Sequence, residues 1–458
     1  MKSIKKGGLS RRISIGLAGA SGGIGLLKAK AGSMILPKEQ QQAHNEKALD
    51  REAQKFVQRL GELKGAYVKI GQMLALYGEH ILPTQVTNAL HGLESSTTPL
   101  DWQAIEPVFS EELNQKLKDG LQDDARLKLQ IDQAPIAAAS LSQVHKGLLD
   151  GGEQVCVKIQ YPGIDEAIED DFKNVIQMLS IARWVKSGRQ LETLATELKR
   201  YLMREVDYGY ELEIAEKLSG FLDGDSRYKV PKYFPQLCSQ KLLVMEYIDG
   251  YDVTHERVQN LSQTRRNALA ESMLSLFFKE AFEWRYMQTD PNFGNYRILI
   301  DESGQNQDQL VLLDFGAVHE LEKPFSRSLR KTILAAQAAE LEAVVEGLIE
   351  IGCLEEADSD EVKQSFAEFC HYILEPFRES FEEVPDYALD GEDYNWRDSR
   401  LLKRAGKLGS QGALVKGFKI PPPEFMLMIR KLTGVFTFAS TLGAKTSSAN
   451  VLLAYRRK

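Results

Sequence analysis

The 458-residue sequence lacks several features that would place it in a common class of protein. No run of 18 or more apolar residues occurs, so no membrane-spanning helix is predicted. The formal net charge is -8, and no basic stripe interleaved with aromatic residues appears, which argues against a nucleic-acid-binding protein. No C-x-x-C pair exists, so we expect reduced, buried thiols and neither a zinc site nor a disulfide framework. The four cysteines are Cys156, Cys238, Cys353 and Cys370.

Two short motifs in the second half of the sequence indicate phosphoryl-transfer chemistry. Asp290 and Asn295 are five residues apart, and Asp314 opens a D-F-G tripeptide after an apolar run. In kinase-type sites this spacing places one aspartate near the attacking hydroxyl or water, while the asparagine and the D-F-G aspartate hold magnesium. Hard divalent cations prefer such oxygen ligands. We therefore predict a site for ATP and Mg²⁺ in which Asp290 is catalytic and Asn295 and Asp314 bind the metal.

Residues 127–160 have the pattern of the first three strands of a kinase N-lobe, with a hairpin turn at 150–152. Lys158 occupies the position of the strand lysine that binds the α- and β-phosphates. The loop expected over the phosphates, residues 135–145, is rich in alanine where such loops are usually rich in glycine. Because methyl groups narrow the allowed backbone angles, we expect a stiffer lid and an altered nucleotide preference. The lid residues predicted to contact nucleotide are Ala137, Ala138, Ala139 and Ser140.

A lysine in an apolar strand needs a carboxylate partner, because an unpaired buried charge is costly. Glu205 and Glu211 both lie on what reads as one long helix running to about residue 218. They are six residues apart and cannot share one helical face. The residues alone leave open which of them pairs with Lys158, and whether Lys158 instead points to water at a sheet edge.

Residues 241–250 are typical of the last N-lobe strand followed by the hinge. The backbone around Glu246 to Ile248 would then meet the adenine edge, although a plain strand and turn gives the same pattern. His145 and His255 are isolated, and isolated histidines more often serve packing than chemistry. We therefore interpret both histidines as structural.

The landmarks of protein-substrate kinases are missing from this sequence. No A-P-E anchor follows the D-F-G motif, and residues 317–324 lead directly into a helical pattern. Gln288 and Thr289 stand before Asp290, where protein kinases carry an arginine. A peptide-docking platform with a phosphorylation switch is therefore not expected. Further on, residues 382–398 have the composition of an acidic surface loop, and residues 424–442 have the pattern of a helix.

The first 125 residues indicate a mainly helical extension before the catalytic domain. Residues 39–77 form a helical pattern, and a second helical portion runs to about residue 121 with Pro99 and Pro107 as interruptions. Lys69 and Gln72 lie on the flank of the apolar seam, where periodicity alone favours a solvated lysine. The seam consists of Phe56, Leu60, Leu63, Tyr67, Ile70, Leu74 and Tyr77.

Residues 1–30 carry seven lysines and arginines and no acidic residue, so the remaining chain carries a net charge of -15. A disordered basic tail and a segment that contacts anionic lipid are both compatible with this composition. An export signal is a third interpretation, suggested by the twin arginines Arg11 and Arg12. Export is disfavoured because an ATP-using site belongs in a compartment that contains ATP.

With these motifs in view, the chain resembles the UbiB/ADCK family of atypical, protein-kinase-like proteins over roughly residues 64–442. The resemblance implies that the helical extension folds over the nucleotide cleft, where Lys69 and Gln72 contact Glu205 and Asp207. It also implies that Glu211 is the partner of Lys158. Its most specific parts are Lys69-x-Gly-Gln72, the alanine-rich segment 135–145, Glu205-x-Asp207, and residues 287–295 and 314–316.

The resemblance further implies ATP binding, slow ATP hydrolysis or small-molecule phosphotransfer, and support of ubiquinone or related isoprenoid-lipid metabolism at a membrane surface. Two departures from the family pattern stand out. Ser142 lies where relatives often carry glycine, which puts the flexibility of the lid in question. The C-terminal hydrophobic spans of some bacterial relatives are missing, so attachment is expected to rest on residues 1–30 or on a partner.

These observations predict an α+β, two-lobed protein-kinase-like fold with an N-terminal helical extension over the nucleotide cleft. The expected domains are a basic segment (1–37), the extension (38–125), an N-lobe with a helical insert (126–250) and a C-lobe (251–458). The expected partners are a nucleotide, a lipid or isoprenoid-quinone intermediate and a membrane surface, at a cytoplasmic site or peripherally on the inner membrane face. Two alternatives remain: a nucleotide-gated lipid-binding protein without a phosphoacceptor, and a protein kinase acting in trans.

Overall fold

The computed structural model describes residues 38–456, apart from residues 64, 79–81, 94–98, 119–127, 183, 186–188, 379, 413–414, 416, 418 and 420. The basic segment 1–30, with its expected membrane contact, lies outside the described residues. The chain divides into two compact units. The first runs to Glu213 and adds Lys232–Tyr247, and the second consists of Ile214–Pro231 and Ile248–Lys458. Residues 214–231, which fall in the range expected for the N-lobe, thus cluster with the second unit.

The first unit begins with four helices, and the long helix expected over 39–77 is broken into two. Gly65 takes a positive φ of 60°, a backbone conformation that glycine adopts readily, and it ends the first helix before the second starts. On both sides of the break the seam still contributes to one buried core, through Phe56, Leu60, Tyr67, Ile70 and Leu74. Pro107 was expected to interrupt a helix but lies inside one, where it costs a single backbone hydrogen bond. The helices are α1 Lys38–Leu63, α2 Ala66–Tyr77, α3 Thr84–His91 and α4 Trp102–Lys118.

A four-stranded antiparallel sheet follows, with strand order β1-β2-β3-β5. Its strands are β1 Leu129–Ala138, β2 Ser142–Leu149, β3 Gln154–Gln160 and β5 Leu242–Glu246. The segment 135–145 was expected to be a loop, but most of it is strand: Ala137 pairs with Val144, and Ala138 pairs with Gln143. Only a tight turn remains, which the N–H of Ala139 closes by donating to the carbonyl of Ser142 at 2.8 Å. Alanine tolerates extended backbone, and antiparallel pairing satisfies the polar groups of the hairpin.

Three helices complete the first unit and lead out of it: α5 Ile164–Ile181, α6 Arg189–Glu205 and α7 Tyr208–Phe221. The single long helix expected through Glu205 and Glu211 is therefore wrong. Asp207 separates α6 from α7, because its carboxylate accepts from the N–H of Tyr210 at 3.1 Å and its carbonyl accepts from the N–H of Glu211 at 3.1 Å. An aspartate in this position satisfies N–H groups at the start of a helix and favours a new helix there.

Among its described residues the second unit forms three small sheets, and two of them are built from strands that are nested along the chain. Strand β6 (Tyr286–Gln288) pairs with β9 (Val318–Glu320), and β7 (Tyr296–Leu299) pairs with β8 (Gln309–Leu312). The short strand β4 (Tyr228–Lys229) pairs with the other side of β8. The helices α8 Glu256–Gln259 and α9 Gln263–Phe278 lie between β4 and β6 in the sequence, and a π-helical segment, Lys279–Trp284, leads into β6.

The C-terminal part is mainly helical, and α10 (Lys323–Gln337) starts directly after β9 as expected. The acidic segment 382–398 is not simply a surface loop, because Tyr394 and Trp396 are buried. Tyr394 donates to Glu375 at 2.7 Å, and burial of the aromatic rings fixes the segment. The other elements are α11 Leu341–Ile351, α12 Asp360–Ile373, β10 Leu389–Asp390, β11 Asp393–Asn395, α13 Leu401–Gly412, α14 Pro423–Leu442, β12 Lys445–Thr446 and α15 Ser448–Leu453.

Among the described residues, α14 alone has the length and apolar composition of a membrane span. Inside the second unit 56% of its apolar window is buried, and it packs against α9. It also carries Lys431, whose side chain is buried. These are properties of a core helix.

Candidate functional site

In the first unit, Lys158 and Glu211 form a close ion pair. Nζ of Lys158 lies 2.9 Å from both carboxylate oxygens of Glu211, and the two side chains are 14% and 1% exposed. The cap at Asp207 starts α7 so that Glu211 lies on its first turn, within reach of β3. The pairing that the resemblance implied is therefore present, while the role of both residues toward a nucleotide remains a prediction.

Gln160 holds the start of α7 in place, and the sequence reasoning missed it. Its side-chain amide donates to the carbonyl of Val206 at 2.6 Å and to that of Gln240 at 3.0 Å. Gln160 lies two residues after Lys158 and so shares its face of β3. The buried glutamine thus ties the junction of α6 and α7 to the strand that carries Lys158. A second polar residue on the Lys158 face of a mostly apolar strand was the available signal.

A second ion pair joins the helical extension to α6. Lys69 on α2 contacts Glu205, and both side chains are partly buried. Gln72 lies on the same helix and is half-buried. Asp207 accepts hydrogen bonds from the N–H groups of Tyr210 and Glu211 at the start of α7. The structure thus brings Lys69 and Glu205 together, as the resemblance implied.

The lid and the hinge occupy the two ends of the first-unit sheet. Ala137 and Ala139 are exposed, and Ala138 and Ser140 are half-buried. In the hinge, the N–H of Glu246 donates to Lys232 and that of Tyr247 to Gln154, at 2.8 and 3.0 Å. Neither of these two N–H groups is therefore left for an adenine edge, and contact with a base would fall to other backbone groups of the hinge.

The two histidines have structural partners. The buried His145 contacts the carbonyl of Asp132 at 2.8 Å through Nδ1 and the amide of Gln143 at 2.9 Å through Nε2. Burial lowers the pKa of His145. His255 caps α8 by accepting from the N–H of Arg257 at 3.2 Å. Both rings therefore serve local structural contacts and not the candidate site.

In the second unit, the strand pairing brings the two predicted motifs together. The segment between β6 and β7 contains Asp290 and Asn295, and the segment between β8 and β9 contains Asp314. Since β6 pairs with β9 and β7 with β8, the two segments lie side by side. The N–H of Leu313 donates to the carbonyl of Asn295 at 3.0 Å, and the amide of Gln288 donates to the carbonyl of Asp314 at 2.5 Å. Asp290, Asn295 and Asp314 therefore occupy one loop cluster.

The donors in this cluster suit magnesium. The amide nitrogen of Asn295 donates to the carbonyl of Asp290 at 3.2 Å, so its oxygen is the atom that can act as a ligand. The N–H of Gly316 donates to Oδ1 of Asp314 at 3.1 Å and orients that carboxylate. Within the described ranges, no group of three or more His, Cys, Asp or Glu side chains is placed to hold a metal. One amide and one carboxylate fit Mg²⁺, which usually completes its shell with phosphates and water.

Asp290 has a partner that the sequence reasoning missed. Nη2 of Arg430, on α14, lies 3.0 Å from Oδ1 of Asp290, and each side chain is 26% exposed. The N–H of Asp290 donates to the side chain of Gln288 at 3.0 Å, and the Thr289 hydroxyl donates to the carbonyl of Ala317 at 2.8 Å. The residues in place of the protein-kinase arginine thus bind the two loops together. Arg430 is 140 positions from Asp290, so no local pattern could have revealed the contact.

The next residue on α14 anchors the helix beneath the same loops. Nζ of Lys431 lies 2.8 Å from Glu280 and 3.1 Å from the hydroxyl of Tyr296, which follows Asn295. Lys431 and Glu280 are 1% and 3% exposed. Burial is the largest single effect and lowers the pKa of Lys431, but the charges of Glu280 and Tyr296 and the hydrogen bonds to both together raise that pKa above its ordinary value. Lys431 is therefore charged inside the second unit.

The chain is similar to several proteins of one family. The ABC1 atypical kinase-like domain matches residues 92–348. The chain is 30% identical over 394 residues to "Atypical kinase COQ8B, mitochondrial" of Rattus norvegicus, covering 86% of this chain and 69% of the relative. It is 26% identical to "Atypical kinase COQ8, mitochondrial" of Saccharomyces cerevisiae, covering 88% and 75%.

A solved structure, the Rv3197–erythromycin complex of Mycobacterium tuberculosis, shares the fold at 21% identity and a TM-score of 0.56, covering 91% of this chain and 97% of that one. The predicted fold class, an α+β, two-lobed kinase-like fold with an N-terminal helical extension, is confirmed. The chain belongs to the UbiB/ADCK family of atypical kinase-like proteins and carries its ABC1 domain.

Proposed function

We propose that this protein binds Mg·ATP and either hydrolyses it or transfers its terminal phosphoryl group to a small molecule or lipid. The observation that carries the proposal is the loop cluster of the second unit, where hydrogen bonds to backbone carbonyls hold Asp290, Asn295 and Asp314 side by side. A carboxylate for the nucleophile beside an amide and a carboxylate for the metal is the donor set that phosphoryl transfer needs.

Each residue has a distinct role in this proposal. Lys158 binds the phosphates, and Glu211 keeps the ammonium group oriented within its ion pair. Asn295 and Asp314 would hold the magnesium, which when bound neutralises charge on the phosphates. Asp290 orients the attacking water or hydroxyl and accepts its proton. The short alanine-rich turn after β1 covers the phosphates with little freedom to move.

The relatives give the biological setting that we propose. Those from rat and yeast are named mitochondrial atypical kinases. With the family resemblance, this supports a role in ubiquinone or related isoprenoid-lipid biosynthesis. We propose peripheral attachment to a membrane through residues 1–30. Vesicle flotation would compare the full chain with one lacking those residues, on vesicles with and without anionic lipid, and equal binding would contradict the attachment.

The site is tested by nucleotide binding and by the fate of the phosphoryl group. We expect Mg·ATP to raise the melting temperature of the wild type, and Lys158→Ala and Asp314→Ala to lose most of that shift. Lys331→Ala, which removes an exposed lysine paired with Glu346 and Glu350, is the control and should keep it. If both site variants bind nucleotide like the wild type, the assignment is wrong.

The acceptor is identified by incubating the protein with γ-labelled ATP, Mg²⁺ and a membrane extract. Label on a lipid indicates phosphotransfer, and label only in free phosphate indicates an ATPase. Label on a protein, lost in Asp290→Asn, would instead support a protein kinase acting in trans. That alternative has little support, because β9 leads directly into α10 and leaves no room for an activation segment.

One observation favours a second candidate, a nucleotide-gated lipid-binding protein. The Lys69–Glu205 pair ties the helical extension to α6, whose junction with α7 is fixed to the Lys158 strand. A nucleotide that competes for Lys69 would release the extension. If the protein is such a gated binder, Asp290→Asn should still bind nucleotide, and nucleotide should still change the affinity of this variant for lipid vesicles. If the protein is an enzyme, the same substitution should abolish product formation.

A further inference from the structure

Transfer of a phosphoryl group places charge on its peripheral oxygens, and kinase-type sites neutralise that charge with cations. The four residues between Asp290 and Asn295 are Pro-Asn-Phe-Gly and supply none. Arg430 of α14 reaches Asp290 from far along the chain. We propose that Arg430 is a catalytic residue whose guanidinium binds the transferring phosphoryl group. This rests on the proposed function and extends it to a helix beyond the matched domain at 92–348.

Two further contacts fix α14 against the catalytic segment, so the Arg430 contact is more than a surface ion pair. Lys431 is buried against Glu280 and Tyr296. One turn later Gly434 lies so close to Pro291 that an added Cβ would collide with the proline ring. Positions 430, 431 and 434 fall close together on a helix and all meet residues 280–296. The helix is therefore held in one rotation, with Arg430 beside Asp290.

The chemistry of the side chain suits both partners at once. A guanidinium has five N–H donors in a planar fork, and the contact with Oδ1 of Asp290 engages Nη2. The remaining donors can bind phosphate oxygens while that contact persists. With 26% of each side chain exposed, the pair is open to a ligand.

An oxygen of water or of an acceptor hydroxyl attacks the γ-phosphorus, and the bond from that phosphorus to the β-phosphate oxygen breaks. ADP leaves with the electron pair of that bond. The proton of the nucleophile passes to Asp290 and then to solvent. Arg430 stabilises the charge on the γ-oxygens while both bonds are partial, and it gains and loses no proton.

The test measures phosphate release by the full-length protein carrying Arg430→Lys, Arg430→Gln or Arg430→Ala. Loss of one preorganised donor to developing charge costs about 10²–10³ in kcat, while the KM for ATP should stay within about twofold. Added guanidinium ion should restore part of the rate of Arg430→Ala and none of that of Arg430→Lys. Arg257→Ala, which breaks an exposed pair with Glu302 in the same unit, is the control and should match the wild type.

A binding measurement provides a readout that a purely structural role would not move. Arg430→Gln should bind ADP like the wild type but bind ADP with aluminium fluoride, a mimic of the transferring group, at least about tenfold more weakly. Its melting temperature without nucleotide establishes that it is folded.

Faster phosphate release by Arg430→Ala would overturn the proposal, because the pair would then be an inhibitory lock on Asp290. An unchanged rate, or equal weakening of both ligands, would also overturn it and leave the proposed function standing. If the wild type binds Mg·ATP and releases no phosphate to any acceptor, both the catalytic role of Arg430 and the enzymatic function fail.

Discussion

Removing Lys431 should leave a carboxylate buried without its counter-ion. Lys431 and Glu280 are 1% and 3% exposed, and Nζ lies 2.8 Å from Oε2. Breaking a buried ion pair by deleting one partner typically costs about 3–5 kcal/mol, because the remaining charge must be desolvated alone or neutralised. At about 2–4 °C per kcal/mol for a domain of this size, Lys431→Met should lower the melting temperature by roughly 10 °C.

Glu280→Gln alone should also destabilise, because it strands a buried ammonium group. The double variant should recover much of the loss, giving a coupling free energy above about 1 kcal/mol in a double-mutant cycle. The assay is thermal and urea unfolding of the four proteins. Lys331→Met, at an exposed pair, is the matched control and should change the melting temperature far less. If the two single substitutions had additive effects on the free energy of unfolding, the two charges would not stabilise each other and the prediction would be refuted.

The pH dependence of the same variant gives a further check. Burial raises the pKa of Glu280, with the charge of Lys431 opposing it. Without Lys431 that pKa rises further, so the folded variant binds a proton that the unfolded chain does not. Its stability should therefore increase relative to the wild type as the pH falls from neutral toward 4.5, the ordinary pKa of the carboxyl group. A deficit that is constant over this range would contradict a stranded carboxylate.

Three other predictions concern single positions. Burial lowers the pKa of His145 below its ordinary value of 6.5, so the unfolded chain binds a proton at a higher pH than the folded protein does. The stability of the wild type should therefore fall as the pH decreases below 6.5, and urea unfolding should show a smaller fall for His145→Gln. Gly434→Ala should slow phosphate release and lower the melting temperature, whereas Gly406→Ala, in open space within α13, should be neutral or stabilising by about 0.5–1 kcal/mol. Gln160→Leu removes the hydrogen bonds to the carbonyls of Val206 and Gln240 and should weaken Mg·ATP binding through Lys158 in calorimetry. Unchanged affinity would show that α7 keeps its place without these bonds.

Much of the fold was predictable because its signals are local. The apolar-rich strand at 154–160 and the turn at 150–152 follow from backbone rules within a few residues. The helical seam was also correct, although the positive φ of Gly65 split the helix. The prediction of one long helix through Glu205 failed because an aspartate such as Asp207 can either continue a helix or start one. Propensity alone does not decide between these two roles. The interpretation of residues 382–398 as a surface loop failed because composition does not show that the ring of Tyr394 is buried.

The candidate site divides in the same way. The sequence by itself determined which residue types stand at chemically meaningful spacings: Asp290, Asn295 and Asp314 each lie in a short motif, and Lys158 lies in an apolar strand. Only the tertiary structure decided their neighbours. It paired Lys158 with Glu211, and it brought Arg430 across 140 positions to Asp290. Spacing rules act through bonds along a few residues, whereas these contacts depend on how buried faces pack, and that packing is settled by the whole chain at once.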